Sequence, residues 1–331
     1  MPPSRHRAAA AIATLLTTAG CSGSYAGALA PAGSEAEATA RLLAVMAVGA
    51  GVVWIAVVGL ALHALRRTGP LPERDGRRLI AVGGLVVPTL VLGALLWRGL
   101  AMMPDLRAPG TRDGARVEVT GEQFWWRVRY AGFVPGDPVT LATEVWLPVG
   151  ERTTFVLDSP DVIHAFWIPE LGGKVDMIPG RRTTLVLEPT RTGVFRGVCA
   201  EFCGTSHAHM RFVAVVVTRD AFAAWLRRQA APAAAPVSAT ARRGRDAFLR
   251  HGCGGCHGIR GTPAAGGVGP DLTHVGGRRE LAAGVAANDV DGFRRWIVAT
   301  HALKPDATMP AFAMLPPDDI DAIAHYLEGL R

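Results

Sequence analysis

Cys199-Ala200-Glu201-Phe202-Cys203-Gly204-Thr205-Ser206-His207-Ala208-His209-Met210 gathers two thiols, two imidazoles and a thioether into one short run of chain. Soft sulfur ligands combined with imidazole suit copper among the biological metals. The methionine discriminates, because structural zinc sites are built from cysteine and histidine. The spacing is C-x3-C-x3-H-x2-M, with Cys199, Cys203, His207 and Met210 in register and His209 off it. His209 therefore reads as structural or solvent-facing. Around this segment, residues 112–228 alternate apolar and polar positions. Val117 and Val119, then Phe124, Trp126, Val128 and Tyr130, then Phe155 with Leu157 and Leu185 with Leu187, sit between Pro/Gly turns. Many short strands so punctuated predict a β-sandwich. Loops at one end of a sandwich can bring distant ligands together.

Downstream, residues 229–240 are rich in Ala and Pro without periodicity and read as a linker. A flexible coil of this length reaches roughly 20 Å, and under about 40 Å when extended. Residues 241–331 differ in character. Cys253-Gly254-Gly255-Cys256-His257 is a C-x-x-C-H motif, the attachment signature of a c-type haem. A zinc ribbon would need a second cysteine pair. A thioredoxin-like site would need a strand before the motif, and residues 242–250 read as helix. A closing helix is expected over 318–330, with Asp318 as its N-cap after Pro316 and Pro317. Phe248 and Tyr326 are expected to pair the terminal helices.

Upstream, Leu42 to Leu65 and Leu79 to Trp97 carry no Asp, Glu, Lys or Arg. At about 1.5 Å per residue each is long enough to cross a bilayer. The expectation is a transmembrane hairpin over 42–101, with helices at about 42–65 and 79–100. Its connection holds Arg66, Arg67, Arg74, Arg77 and Arg78, which predicts a cytoplasmic loop and an extracytoplasmic remainder. Residues 1–21 read as an export signal: Arg5 and Arg7, a short apolar run, then small residues before Cys21. Either an ordinary signal peptide or a lipoprotein signal with Cys21 as the lipid-bearing residue fits.

Composition agrees with a membrane-attached, multidomain chain: 331 residues, 49% hydrophobic and 19% charged. The net charge is +7, but the arginines scatter without a basic stripe interleaved with aromatics, which excludes nucleic acid as a partner.

The Cys199–Met210 segment resembles the binuclear copper A loop of cytochrome c oxidase subunit II. Residues 159–169, Ser-Pro-Asp-Val-Ile-His-Ala-Phe-Trp-Ile-Pro, and residues 171–181, Leu-Gly-Gly-Lys-Val-Asp-Met-Ile-Pro-Gly-Arg, are similar to that family's first-histidine region. The resemblance implies a cupredoxin-like Greek-key sandwich in which Cys199 and Cys203 bridge two copper ions. It implies His164 and His207 as the two imidazole ligands, and Met210 and the Glu201 carbonyl as weak ones. The Glu201 carboxylate would bind magnesium shared with subunit I. Gln123-Phe124-Trp125-Trp126 resembles the family's aromatic segment. Phe124 stands where a tryptophan is usual, so Phe124 and Trp125 are both candidates for receiving electrons.

Residues 241–331 resemble an all-α class I cytochrome c, with Gly269-Pro270-Asp271-Leu272 as the proximal loop. Cys253 and Cys256 would form the thioethers, and His257 would ligate iron. Met309, in Lys304-Pro305-Asp306-Ala307-Thr308-Met309-Pro310, is the expected sixth ligand, ahead of Met314 and His301. The combination resembles caa-type haem–copper oxidases. It implies electron flow from external cytochrome c or another reductant through haem c and copper A to an oxygen-reducing centre in subunit I. Subunit III would be a further partner, and the setting would be a bacterial cell membrane. Nitrous oxide reductases carry a large extra copper domain for which there is no room here. Copper chaperones with C-x3-C lack residues placed as His164 and Met210 are. A membrane-tethered electron carrier serving another acceptor is the remaining alternative.

Overall fold

The computed structural model describes residues 27–69, 71–107, 116–133 and 138–331. The expected export signal and Cys21 lie outside the described residues. The chain divides into two compact units, residues 37–109, and residues 1–36 with 110–331.

In the smaller unit, α1 (Ser34–Arg66, whose first residues belong to the larger unit) is followed by α2 (Glu73–Ala81), a π-helical turn (Val82–Val86) and α3 (Val87–Arg107). The π turn precedes Pro88, whose missing N–H and bulky ring disturb the helix one turn back, at Gly84. Widening the helix there is a common accommodation. Thr89 Oγ1 donates to Leu85 O at 2.7 Å across the same turn. Both helices are long and apolar enough to cross a membrane. Apolar side chains such as Val48, Trp54 and Leu92 stand about two-thirds exposed. Such a surface calls for lipid or protein rather than water.

The larger unit begins with residues 27–36 laid along a β-sandwich. Ala32 N donates to Glu170 O at 2.7 Å, Ser34 N to Glu188 O at 3.0 Å, and Thr190 N to Ala32 O at 2.8 Å. The sandwich strands are β1 (Arg116–Glu122), β2 (Trp125–Tyr130), β3 (Val139–Ala142), β4 (Glu144–Pro148) and β5 (Thr153–Asp158). They continue with β6 (His164–Trp167), β7 (Val175–Met177), β8 (Thr183–Leu187), β9 (Gly193–Cys199) and β10 (Arg211–Val217). One sheet has the order β3-β2-β1-β5-β8, the other β4-β10-β9-β6-β7. Neighbours pair antiparallel except β1 with β5 and β4 with β10. This is the cupredoxin-like sandwich expected from the alternating pattern.

Between the sheets, Trp126 meets Phe166 and Phe212 edge-on at 5.5 and 5.3 Å, and Phe166 stacks on Phe212 at 4.5 Å. All three rings are at most 1% exposed. Burying an aromatic side chain of some 150–250 Å² at about 25 cal/mol per Å² contributes about 4–6 kcal/mol. Trp126 Nε1 is buried without a hydrogen-bond partner. That orphan donor costs about 1–3 kcal/mol, so packing wins. α4 (Arg219–Ala230), N-capped by Thr218, closes one side, stacking Trp225 on Trp146 at 4.7 Å.

The C-terminal part is helical. It holds α5 (Ala239–Arg250), α6 (Val290–Val298), α7 (Thr300–Leu303) and α8 (Pro317–Glu328), with a small hairpin of β11 (Glu280–Leu281) and β12 (Ala286–Ala287). Phe248 of α5 and Tyr326 of α8 meet edge-on at 6.0 Å, as expected. Gly244 lets α5 approach α8, since a Cβ there would lie 1.9 Å from Ala322 O. The expected Asp318 cap is corrected: α8 starts at Pro317, with Pro316 at the N-cap position. Proline suits the first helical position because its missing N–H would have no partner there. Asp318 and Asp319 then sit in the first turn, where their charge favours the helix dipole.

Within β9, Gly197 faces Phe212, and a Cβ there would lie 2.1 Å from the ring. Gly197→Ala is expected to displace the aromatic stack and destabilise the sandwich by about 1–3 kcal/mol. Thermal unfolding followed by tryptophan fluorescence should show the lowered midpoint; an unchanged midpoint contradicts this packing.

Candidate functional site

The antiparallel pairing of β6 with β9 sets Phe166 opposite Cys199. That register brings His164, at the start of β6, beside the end of β9. The loop from Cys199 to Met210 is closed at its neck by Cys199 N donating to Met210 O at 3.0 Å. Five side-chain donors and one backbone carbonyl converge here. Cys199 Sγ lies 3.8 Å from His164 Nδ1 and 3.8 Å from Cys203 Sγ. Cys203 Sγ lies 3.6 Å from His207 Nδ1 and 3.8 Å from Met210 Sδ. The Glu201 carbonyl is 3.2 Å from Cys199 Sγ. His164 and Met210 are fully buried, and both cysteines nearly so.

The set fits a soft metal ion. A disulfide needs an S–S bond of about 2.05 Å, so the thiols are not bonded. They are close enough for both to hold one ion at metal–sulfur bonds of about 2.3 Å. The ligand atoms of His164, Cys199 and Cys203 all lie within 4.8 Å of one another. The Cys199 thiol is pulled down, first by its hydrogen bond with Cys203 and then by His164, against the effect of burial. Cys203, next to that thiolate and buried, is pushed up. The pair favours one thiolate beside one thiol, and a bound cation would supply the charge that ionises the second.

Asp161 orients His164. Its Oδ1 lies 2.9 Å from His164 Nε2, which leaves Nδ1 toward the sulfurs. Asp161 also accepts from Gln123 N at 2.7 Å and Val162 N at 2.6 Å. Burial works against charging His164, but its hydrogen bonds with Cys199 and Asp161 outweigh it and raise the pKa. Gly121 in β1 makes room for the ring, since a Cβ there would lie 2.9 Å from His164 Cδ2. Gln123 Nε2 donates to Cys203 O at 2.6 Å, tying the aromatic segment to the sulfur loop. Neither Asp161 nor Gln123 was assigned a role from sequence. Asp161 stands three residues before His164 in the chain, a proximity that does not by itself mark it. Gln123 left no signal.

The other expected residues fall as follows. His209 is half-buried in the turn His207–His209, its backbone N–H donating to Ser206 O at 2.9 Å. The Glu201 carboxylate is 44% exposed and 3.7 Å from Lys174 Nζ. Phe124 is buried. Trp125 is half-buried, with the Arg127 guanidinium 4.7 Å from its ring.

In the helical domain, Cys253 and Cys256 are free thiols, the first half-buried and the second exposed. His257 Nδ1 lies 2.8 Å from Pro270 O. A carbonyl only accepts, so Nδ1 carries the proton and Nε2 keeps its lone pair. Burial lowers the His257 pKa, against the Pro270 hydrogen bond, which favours the neutral, ligating form. Gly269 is required, since a Cβ would lie 2.6 Å from His257 Cε1. Two unpaired thiols and an oriented imidazole fit a covalently held haem. Met309 is half-buried against the domain core. Met314 is 75% exposed, and His301 Nε2 is engaged by Ala307 O at 3.0 Å.

Asp161→Ala is expected to weaken copper binding about 10- to 100-fold by freeing the His164 ring. Competition titration against a chelator measures this; an unchanged affinity contradicts the orienting role.

The family model described as cytochrome c oxidase subunit II, periplasmic domain, matches residues 135–217, and that of cytochrome c matches residues 241–331. The chain is 39% identical over 217 residues to cytochrome c oxidase subunit 2 of Alkalihalophilus pseudofirmus, covering 65% of this chain but only 61% of that relative. It is 30% identical over 257 residues to cytochrome c oxidase subunit 2 of a Bacillus species, strain PS3, covering 75% and 70% of the two chains. To the Bacillus subtilis protein of the same name it is 26% identical over 275 residues, covering 78% and 76%. On this similarity, which spans both the sandwich and the helical domain, the chain belongs to the cytochrome c oxidase subunit II family and carries a cytochrome c domain.

Proposed function

We propose that this chain delivers electrons to a respiratory haem–copper oxidase. It would take them from external cytochrome c or another reductant at a covalent haem, pass them to a binuclear copper A centre, and hand them to the oxygen-reducing centre of subunit I. The observation that carries this reading is the convergence of His164, Cys199, Cys203, His207 and Met210 on one buried point. Cys199 and Cys203, with His164, His207 and Met210, would hold the copper, which would supply a one-electron redox centre there. This chain's residues supply rigidity for that task. The β6–β9 ladder holds Cys199, Asp161 holds His164, and the neck hydrogen bond holds Met210.

On the haem side, Cys253 and Cys256 are proposed as the covalent attachments and His257 and Met309 as the axial ligands. Met309 is preferred because Met314 projects into solvent and His301 is engaged elsewhere. The exposed Glu201 carboxylate is proposed to bind magnesium together with subunit I. α1 and the helix formed by α2 and α3 are proposed to cross a bacterial cell membrane as a hairpin. The arginine-rich loop would face the cytoplasm, and the copper and haem domains the outside. Subunit III is a further proposed neighbour.

In the assembled oxidase, stopped-flow reduction should show haem c reduced first and copper A following, faster than turnover. Independent reduction of the two centres would overturn the reading. Truncation after Arg228 should keep the copper signal and slow oxidation of the external reductant. Met309→Ala should open the haem iron to carbon monoxide and lower its potential, because a thioether favours ferrous iron. If Met314→Ala does this instead, the ligand assignment changes.

A further inference from the structure

Lys304 follows α7 and opens the loop that carries Met309. It is only 3% exposed. Its Nζ donates to Phe124 O at 2.6 Å, across to the copper domain, and to Ala282 O at 3.1 Å within the haem domain. Phe124 lies against the sulfur loop, since a Cβ on Gly204 would lie 3.1 Å from Phe124 Cε1. The neighbouring Gln123 binds the Cys203 carbonyl. A continuous set of contacts thus runs from the Met309 loop to a copper ligand. A second runs beside it, from Pro305 O to Ser206 Oγ at 2.5 Å, adjacent to His207. Outlying contacts complete the seam. Arg279 N donates to Glu144 Oε2 at 3.0 Å, Arg127 Nη2 to Val268 O at 3.2 Å, and Arg196 pairs with Glu280.

We propose that Lys304 is the positioning residue that fixes one docked pose of the haem domain on the copper domain, and so reserves the copper domain's aromatic segment for this internal donor. The inference rests on the haem-to-copper reading above. Both acceptors of Lys304 are backbone carbonyls, and burial pulls its pKa down to about 7. An apolar residue would be easier to bury. What its N–H donors contribute, charged or neutral, is selectivity. In the observed pose its N–H groups meet carbonyls fixed by two different domains. In a shifted pose the same group is buried unpaired, which is strongly disfavoured. Electron transfer is sensitive to pose, so selection of one geometry is functional rather than merely adhesive. The docked domain thus binds the backbone of Phe124, whose side chain packs in the copper domain's own core.

The test is Lys304→Met in the full oxidase complex, read in two ways. Stopped-flow gives the haem-to-copper transfer rate, and pulsed electron paramagnetic resonance gives the distance distribution between the oxidised centres. The variant is expected to keep the spectra of both centres, to slow transfer tenfold or more with several phases, and to broaden the distance distribution. Lys304→Arg, which keeps charge and donors, is expected to restore a single narrow distribution. An unchanged rate and distribution in Lys304→Met overturn the inference. So does a broad distribution in Lys304→Arg beside a narrow one in Lys304→Met. If the wild-type complex shows no haem-to-copper transfer at all, the functional reading itself fails.

Discussion

The register between β6 and β9 is the constraint on which the site depends. With Phe166 opposite Cys199, His164 and Cys199 reach the same end of the sandwich with their side chains on one face. A one-residue slip would turn every side chain of β6 to the opposite face. The aromatic stack of Trp126, Phe166 and Phe212 specifies that register, because Phe166 fills its place only when inward-facing. The energy of the core thus holds the donor geometry. Asp161, Gln123 and the loop neck adjust a site that the sheet has already assembled.

Much of this was legible in the chain. The sulfur motif carries its chemistry in its spacing, and alternation of apolar residues announced the strands. The C-x-x-C-H motif and the uncharged apolar stretches were equally direct. Less legible were contacts between segments far apart in sequence. Asp161 orients a histidine three residues on, but nothing in the chain says which nearby carboxylate will turn inward. Gln123 and Lys304 act through backbone carbonyls, which have no sequence signature. The Asp318 cap was misplaced because Pro316 and Pro317 looked like a preceding turn, whereas Pro317 belongs to the helix. The π turn before Pro88 was likewise invisible, since proline signals a disturbance without saying how the helix absorbs it.

The Ala- and Pro-rich stretch between the domains offers a similar lesson. Composition describes it as a flexible tether. In the folded protein Ala233 N donates to Arg260 O at 3.0 Å, His274 Nε2 lies 3.0 Å from Ala231 O, and Arg260 binds Gln229 O. The haem domain supplies these partners. A low-complexity segment can be ordered by its neighbours while remaining featureless in isolation.

Residues 27–36, which lead into the first turn of α1, complete the sandwich edge: Gly27 N binds Glu170 Oε1, a separation of 143 residues. Closing so long a loop is entropically slow. During synthesis this strap emerges long before residues 168–190, against which it lies, and both apolar helices lie between them in the chain. Its docking is therefore a late folding event, which waits until the second half of the sandwich has formed. This strap, though made early, is among the last segments to reach its place.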